Sequence, residues 1–284
     1  MTSSASPTTA TTPLAEIGII GGSGFYEFFT DAERVSVETP FGQPSDDLVI
    51  GEVDGRRVAF LARHGQGHRI PPHRVNYRAN LWALRAVGVR QVLAPCAVGS
   101  LRADLGPGTV VVPDQVVDRT WGRAHTVYDT EGPVVHVNFA DPYCPRLREA
   151  VTHTATGAGL PVEGSGTLVV VNGPRFSSRA ESHWHQQAGW SIVGMTGMPE
   201  AAIARELALC FSHVALVTDH DAGVEGDAGV THAEVLEVFA QNIEALKSVL
   251  AQAIPTLPPA EDDALAACPC RRALDGLMLP FELP

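Results

Sequence analysis

The chain has 284 residues, of which 45% are hydrophobic and 18% charged, enough to bury a substantial core and too apolar for a disordered polymer. Its 32 acidic and 20 basic residues give a net charge of −12, which excludes a phosphate-backbone binder built on a broad basic face while leaving room for a local pocket that takes a small anion. Lys247 is the only lysine, so Schiff-base chemistry has one candidate, and no Gly-Lys-Ser/Thr phosphate loop exists.

The first fifteen residues are rich in Ser, Thr, Ala and Pro, without the cationic start and apolar stretch of a secretory signal, and read as a disordered tail on a cytoplasmic protein. Ordered structure is expected from Glu16. Ile17 to Ile20 forms a short apolar run stopped by Gly21-Gly22-Ser23-Gly24, and Val58 to Ala62 a second run ending at Arg63-His64-Gly65. Val75, Ala79, Trp82 and Ala86 recur at helical spacing and Gly88 closes that helix; Val89 to Ala97 reads as a strand, as does Thr109 to Pro113. Pro145 opens a helix ending near Gly157, Thr167 to Val171 is a strand, and Arg179 to Ala188 a helix. Ser191 to Met195 (strand), Pro199 to Leu209 (helix), His213 to Thr218 (strand) and His232 to Ala253 (helix) complete the series. This alternation predicts a single α/β domain with a mixed central sheet flanked by helices, over residues 16–257, with 258–284 as a separate closing segment packing near the active site or a neighbouring subunit.

In open α/β sheets ligands gather beyond the carboxyl ends of strands, so the polar residues there are the candidates. Gly22-Ser23-Gly24 turns backbone N–H groups and a hydroxyl towards an anion, or is simply a tight turn; it is not a dinucleotide fingerprint, since Glu27 stands where the third glycine is needed. Arg63 and His64 suit a dianion such as phosphate, or form a surface salt bridge beside an ordinary histidine. Cys96 and Ala97 end a strand, with a buried corner cysteine as the plain alternative. Phe176 and Ser177 lie on a loop that could stack an aromatic ligand, or begin a capped helix with Phe176 in the core. Met195 and Thr196 end another strand. In Thr218-Asp219-His220-Asp221, two carboxylates two residues apart repel, so one keeps its proton near neutrality, as protonation of a purine leaving group requires; a solvated acidic turn reads the same way. No metal is expected: His64 and His68 lack a matching carboxylate or thiol, and Cys268-Pro269-Cys270 alone offers too few ligands for zinc and reads as a pair of tail cysteines.

The runs IGIIGGSGF (17–25), TPFGQPSD (39–46), LARHG (61–65), NYRANLWALR (76–85), GSL (99–101), GPRFSSRAES (173–182), MTGMPE (195–200) and TDHD (218–221) together resemble the methylthioadenosine phosphorylase branch of the trimeric purine nucleoside phosphorylase family, over roughly residues 17 to 257. The resemblance implies a homotrimer with active sites near subunit boundaries and reversible phosphorolysis of an N-glycosidic bond, inorganic phosphate being co-substrate and no cofactor required. It implies Ser23, Arg63, His64, Thr196 and the backbone of Ala97 as phosphate ligands, with Cys96 standing where relatives usually have threonine. Met195 would lie along the ribose and Phe176 on the base. Asp219 would be the general acid at N7 and Asp221 its partner near the exocyclic group, a pair that favours adenine. Ser177 and His232 would bear on specificity, since His232 stands where thioadenosine enzymes tend to have a small apolar residue and other nucleoside phosphorylases a histidine. Rivals are a phosphorylase for 5′-hydroxyl nucleosides and a catalytically silent nucleotide-binding trimer.

Overall fold

The computed structural model describes residues 13–22, 29, 32–224 and 231–284, the side chains of residues 232 and 234 excepted. Eleven described strands form one mixed sheet: β1 (Ile17–Gly21), β2 (Glu33–Val35), β3 (Leu48–Val53), β4 (Arg56–Ala62), β5 (Gln91–Ser100), β6 (Val110–Val111), β7 (Gln115–Arg119), β8 (Val162–Glu163), β9 (Thr167–Val171), β10 (Ile192–Gly194) and β11 (Cys210–His220). The main path runs β2-β3-β4-β1-β5-β10-β9-β7, while β11 lies along the other edge of β5 and carries β6 and β8 beyond it. The parallel pairs β1–β4, β1–β5 and β5–β11 form the centre, and the antiparallel β5–β10 pair makes the sheet mixed.

The central strands are buried on both faces, as a parallel sheet covered by helices requires. Along β1 the side chains alternate between two cores: Ile17 and Ile19 join one, Ile20 the other. On the Ile20 side lie α1 (Tyr77–Ala86) and α4 (Gly197–Glu206); on the opposite side lie α2 (Pro145–Gly157) and α5 (His232–Ala253). Asn76 caps α1 by accepting from the Ala79 amide, and α3 (Arg179–Gln187) starts with a capping box between Ser178 and Glu181. A short α6 (Asp263–Ala266) lies in the closing segment. The strands at 33–35, 48–53, 115–119 and 162–163 had no counterpart among the expected elements.

Two features of the sheet create space for a ligand. β1 pairs with β5 only over Gln91–Leu93, and β10 takes up the same edge only at Gly99–Ser100. Among the described residues, Ala94 to Val98 pair with no strand on that edge, and Pro95, which has no N–H to offer a ladder, sits there. On the other edge β11 carries a bulge: Val217 pairs with Val98 and Asp219 with Gly99, so Thr218 is the surplus residue.

None of residues 258–284 lines the candidate cavity; the segment folds back on the core. Arg56 donates to the Leu257 and Pro258 carbonyls, Gln91 to Pro258, and the Phe281 ring packs on Trp82 and Tyr128, with centroids 5.7 and 5.4 Å apart. Cys268 and Cys270 are not loose tail cysteines but buried members of the core beside Cys144 and Cys210.

Candidate active site

The unpaired stretch of β5 opens into a cavity of about 490 Å³ lined from the carboxyl ends of β1, β4, β5, β9, β10 and β11. Of the twelve residues singled out from the sequence, ten line it: Arg63, His64, Cys96, Ala97, Phe176, Ser177, Met195, Thr196, Asp219 and Asp221. Ser23 lies outside the described residues, although its neighbour Gly22 lines the cavity, and the side chain of His232 also lies outside them, while its backbone opens α5.

Arg63 is 1% exposed, so its charge needs partners. Its Nε and Nη2 donate to the two carboxylate oxygens of Glu200 at 2.9 and 3.0 Å, Nη1 donates to the Pro95 carbonyl at 3.0 Å and Nη2 also to the Ile20 carbonyl at 2.8 Å. Four of the five N–H groups are thereby engaged, and one on Nη1 has no partner among the described residues. The forked pair expected to face a dianion faces Glu200 instead. Glu200, fully buried and 4.0 Å from the His213 ring, was missed as a functional candidate although it lies within the MTGMPE run.

His64 donates from Nδ1 to the Ile70 carbonyl at 2.8 Å and stacks on His68, ring centroids 4.2 Å apart. Burial first and the Arg63 charge second hold its pKa down at about 4, so the ring is neutral at physiological pH. The Cys96 thiol is pushed up to about 12 by burial and stays protonated, 3.8 Å from the His213 ring. Thr196 lines the cavity just before α4, whose first turn is broken by the extended Met198, and its hydroxyl makes no capping bond.

The acidic side is set by the bulge. Thr218 Oγ1 donates to Asp219 Oδ1 at 2.7 Å and lies 3.3 Å from the Val98 carbonyl. Gly99, the register partner of Asp219, has no side chain to block the carboxylate: a Cβ there would stand 3.0 Å from Asp219 Oδ2. Asp221 is 4% exposed, and burial raises its pKa, while the Ser177 and Ser182 hydroxyls and the His185 ring pull it down. Burial thus favours the protonated form of Asp221.

Phe176 is half-buried on the cavity wall: the helix behind it is capped, as expected, but the ring is not core. Arg123, overlooked in the sequence, organises this wall. It donates to the carbonyls of Asn172 and Met195 at 2.9 Å each, to Asn172 Oδ1 at 3.1 Å and to the Met198 carbonyl, tying the Phe176 loop to the β10–α4 junction. Met195 Sδ then packs against Gly173, where a Cβ would stand 2.5 Å away. Val235, Leu236 and Phe239 of α5 close the cavity with an apolar surface that no motif marked.

A cavity at the carboxyl ends of a mixed α/β sheet, with a buried arginine after β4 and two carboxylates at the end of β11, is that of an enzyme acting on a small molecule. The chain belongs to the phosphorylase superfamily, whose family model matches residues 16–255. It is 59% identical to a purine nucleoside phosphorylase of Streptomyces coelicolor, over 95% of this chain and 98% of that one, and 54% identical to an S-methyl-5′-thioadenosine phosphorylase of Mycobacterium tuberculosis, over 94% and 97%. The crystal structure of a methylthioadenosine phosphorylase from an antarctic soil metagenomic library superposes with a TM-score of 0.86 at 40% identity, covering 94% and 93% of the two chains.

Proposed function

We propose that this protein is a pentosyltransferase that phosphorolyses 5′-methylthioadenosine reversibly to adenine and 5-methylthioribose 1-phosphate. The observation that carries the reading is the placing of Arg63 and Asp219 along one strand. Arg63 is anchored at Pro95 and Asp219 stands against Gly99, four residues on, a span of about 13 Å in extended chain. An oxyanion, a ribose and a purine laid end to end fill such a span.

Phosphate would be held by the remaining Nη1 proton of Arg63, by His64 as it becomes protonated, by Thr196 and by the Ala97 backbone, with Ser23 as a further ligand. Its oxygen attacks C1′ as the bond to the base lengthens. Charge then grows on the purine, and Asp219 delivers a proton at N7 while Asp221 pairs with the exocyclic group; stabilisation that appears only as the bond breaks raises turnover rather than binding. The apolar α5 surface favours a thioether methyl at the 5′ end, where a hydroxyl would be left without a partner.

A second reading, preference for nucleosides with a 5′-hydroxyl, is favoured by the purine nucleoside phosphorylase at 59% identity and by His232 at the start of α5. Phosphate-dependent release of base from methylthioadenosine, adenosine and inosine decides: the proposal expects methylthioadenosine to lead by at least tenfold in kcat/KM, equal rates with adenosine remove the thioether preference, and preference for inosine overturns the adenine assignment. The same reading includes a cytoplasmic homotrimer, in keeping with exposed Trp121, Val134 and Met278 and with the absence, among the described residues, of a helix long and apolar enough to cross a membrane. Sedimentation equilibrium at about three times 30.1 kDa is the expected mass.

A further inference from the structure

At the opposite end of the sheet from the cavity, four cysteines meet. Cys144 immediately precedes α2, Cys210 begins β11, and Cys268 and Cys270 come from the closing segment. All four are at most 2% exposed, and their sulfur atoms all lie within 4.8 Å of one another, with Cys144 Sγ and Cys268 Sγ 3.8 Å apart. A tetrahedron with metal–sulfur bonds of about 2.3 Å has edges of about 3.8 Å. The charge around the sulfurs fits as well. Arg205, 6% exposed, places Nη2 3.8 Å from Cys270 Sγ, and Arg271 lies within electrostatic reach of Cys210, Cys268 and Cys270.

We infer that Cys144, Cys210, Cys268 and Cys270 form a structural zinc site that pins the closing segment to the core. Four soft sulfur ligands in a closed tetrahedral arrangement select zinc over the hard, oxygen-seeking cations. Binding releases the thiol protons to solvent, and the ion with four thiolates carries a net charge of −2, which the two guanidiniums offset as outer-sphere partners. Two disulfides would be neutral and would leave both cations facing uncharged sulfur. The site joins three stretches far apart in sequence, where a cross-link restrains the unfolded chain most. It stands away from the cavity, so its role is to hold the fold and not to touch substrate.

The test is made on the full-length protein, purified under reducing conditions and exchanged into metal-free buffer. Zinc analysis should give about one ion per chain. Replacement by Co²⁺ should give the intense visible absorption of tetrahedral cobalt thiolate. Denaturation with chelator and without reductant should expose all five cysteine thiols of the sequence. Cys270→Ser should lose the ion and lower the melting temperature by about 10 °C, and Cys96→Ser should keep one ion per chain. Folded protein that takes up neither zinc nor cobalt overturns the inference. So does a thiol count of three or one in the denatured, unreduced chain, which means disulfides. If Cys270→Ser does not fold, the cobalt spectrum and thiol count of the unaltered protein still decide.

Discussion

The two ends of β11 are built to opposite specifications. At Cys210 the strand enters a region where sulfur, apolar side chains and backbone carbonyls are all covered and the neighbouring arginines are held by them. At Asp219, about 30 Å further along an extended chain, the pairing is interrupted by a bulge, the adjacent strand has an unpaired edge, and carboxylates face a cavity. One end contributes rigidity, and the other uses it to hold reactive groups in a fixed relation. Chemistry is thus placed where the sheet's hydrogen bonding is incomplete, and stability where it is complete.

Substitutions at the open end should therefore change turnover, and those at closed pairs should change stability. The largest effect is expected for Asp219→Ala, with kcat lower by 10²–10⁴-fold and KM nearly unchanged in steady-state assays, as loss of a general acid requires. Arg63→Ala blurs the division on purpose. It raises the KM for phosphate and also strands the buried Glu200 carboxylate, costing about 3–5 kcal/mol in urea denaturation; a variant of unaltered stability would show that the ion pair is not what it looks like. Gly99→Ala should reduce kcat by about ten- to a hundredfold through the Cβ pressed on Asp219, with the melting temperature little altered.

A pH titration probes the same contrast. The folded pKa of His64, about 4, lies below its ordinary 6.5, so between these values the unfolded chain binds a proton that the folded chain refuses. Its contribution is fully present above about pH 6.5 and is lost as the pH falls towards 4, by about 3 kcal/mol in all. Denaturation of His64→Asn at pH 7 and pH 4.5 should show a correspondingly flatter profile. The smallest effect is expected at the exposed Arg175–Glu181 pair beside the Phe176 loop, where Arg175→Ala should leave the urea midpoint essentially unchanged despite two 2.7 Å contacts.

Most of the central strands and helices were legible because apolar runs and helical periods carry their own signal, as in Ile17–Ile20 and Val75–Ala86. The short outer strands were not: β2 shows only one partly buried residue in three, and β7 carries charge, so neither has a run to recognise. The cavity residues were legible as polar interruptions after such runs. Glu200 and Arg123 were not, because their roles depend on partners distant in sequence, Arg63 in one case and the Asn172 and Met195 carbonyls in the other. The cysteine cluster was hidden for the same reason: Cys268-Pro269-Cys270 shows half a ligand set, and only the return of the closing segment to α2 and β11 supplies Cys144 and Cys210.

The extra residue in β11 makes the acid's position a matter of arithmetic. Side chains alternate strictly along a strand, so the slot opposite Gly99 is filled by whichever residue the count delivers there. Excision of Thr218 would keep Asp219 opposite Gly99, but it would erase the bulge, turn the carboxylate to the side that regular alternation dictates, and remove the hydroxyl that donates to its Oδ1. A chain could thus keep its architecture intact and fall silent through the omission of a single ordinary hydroxyl residue.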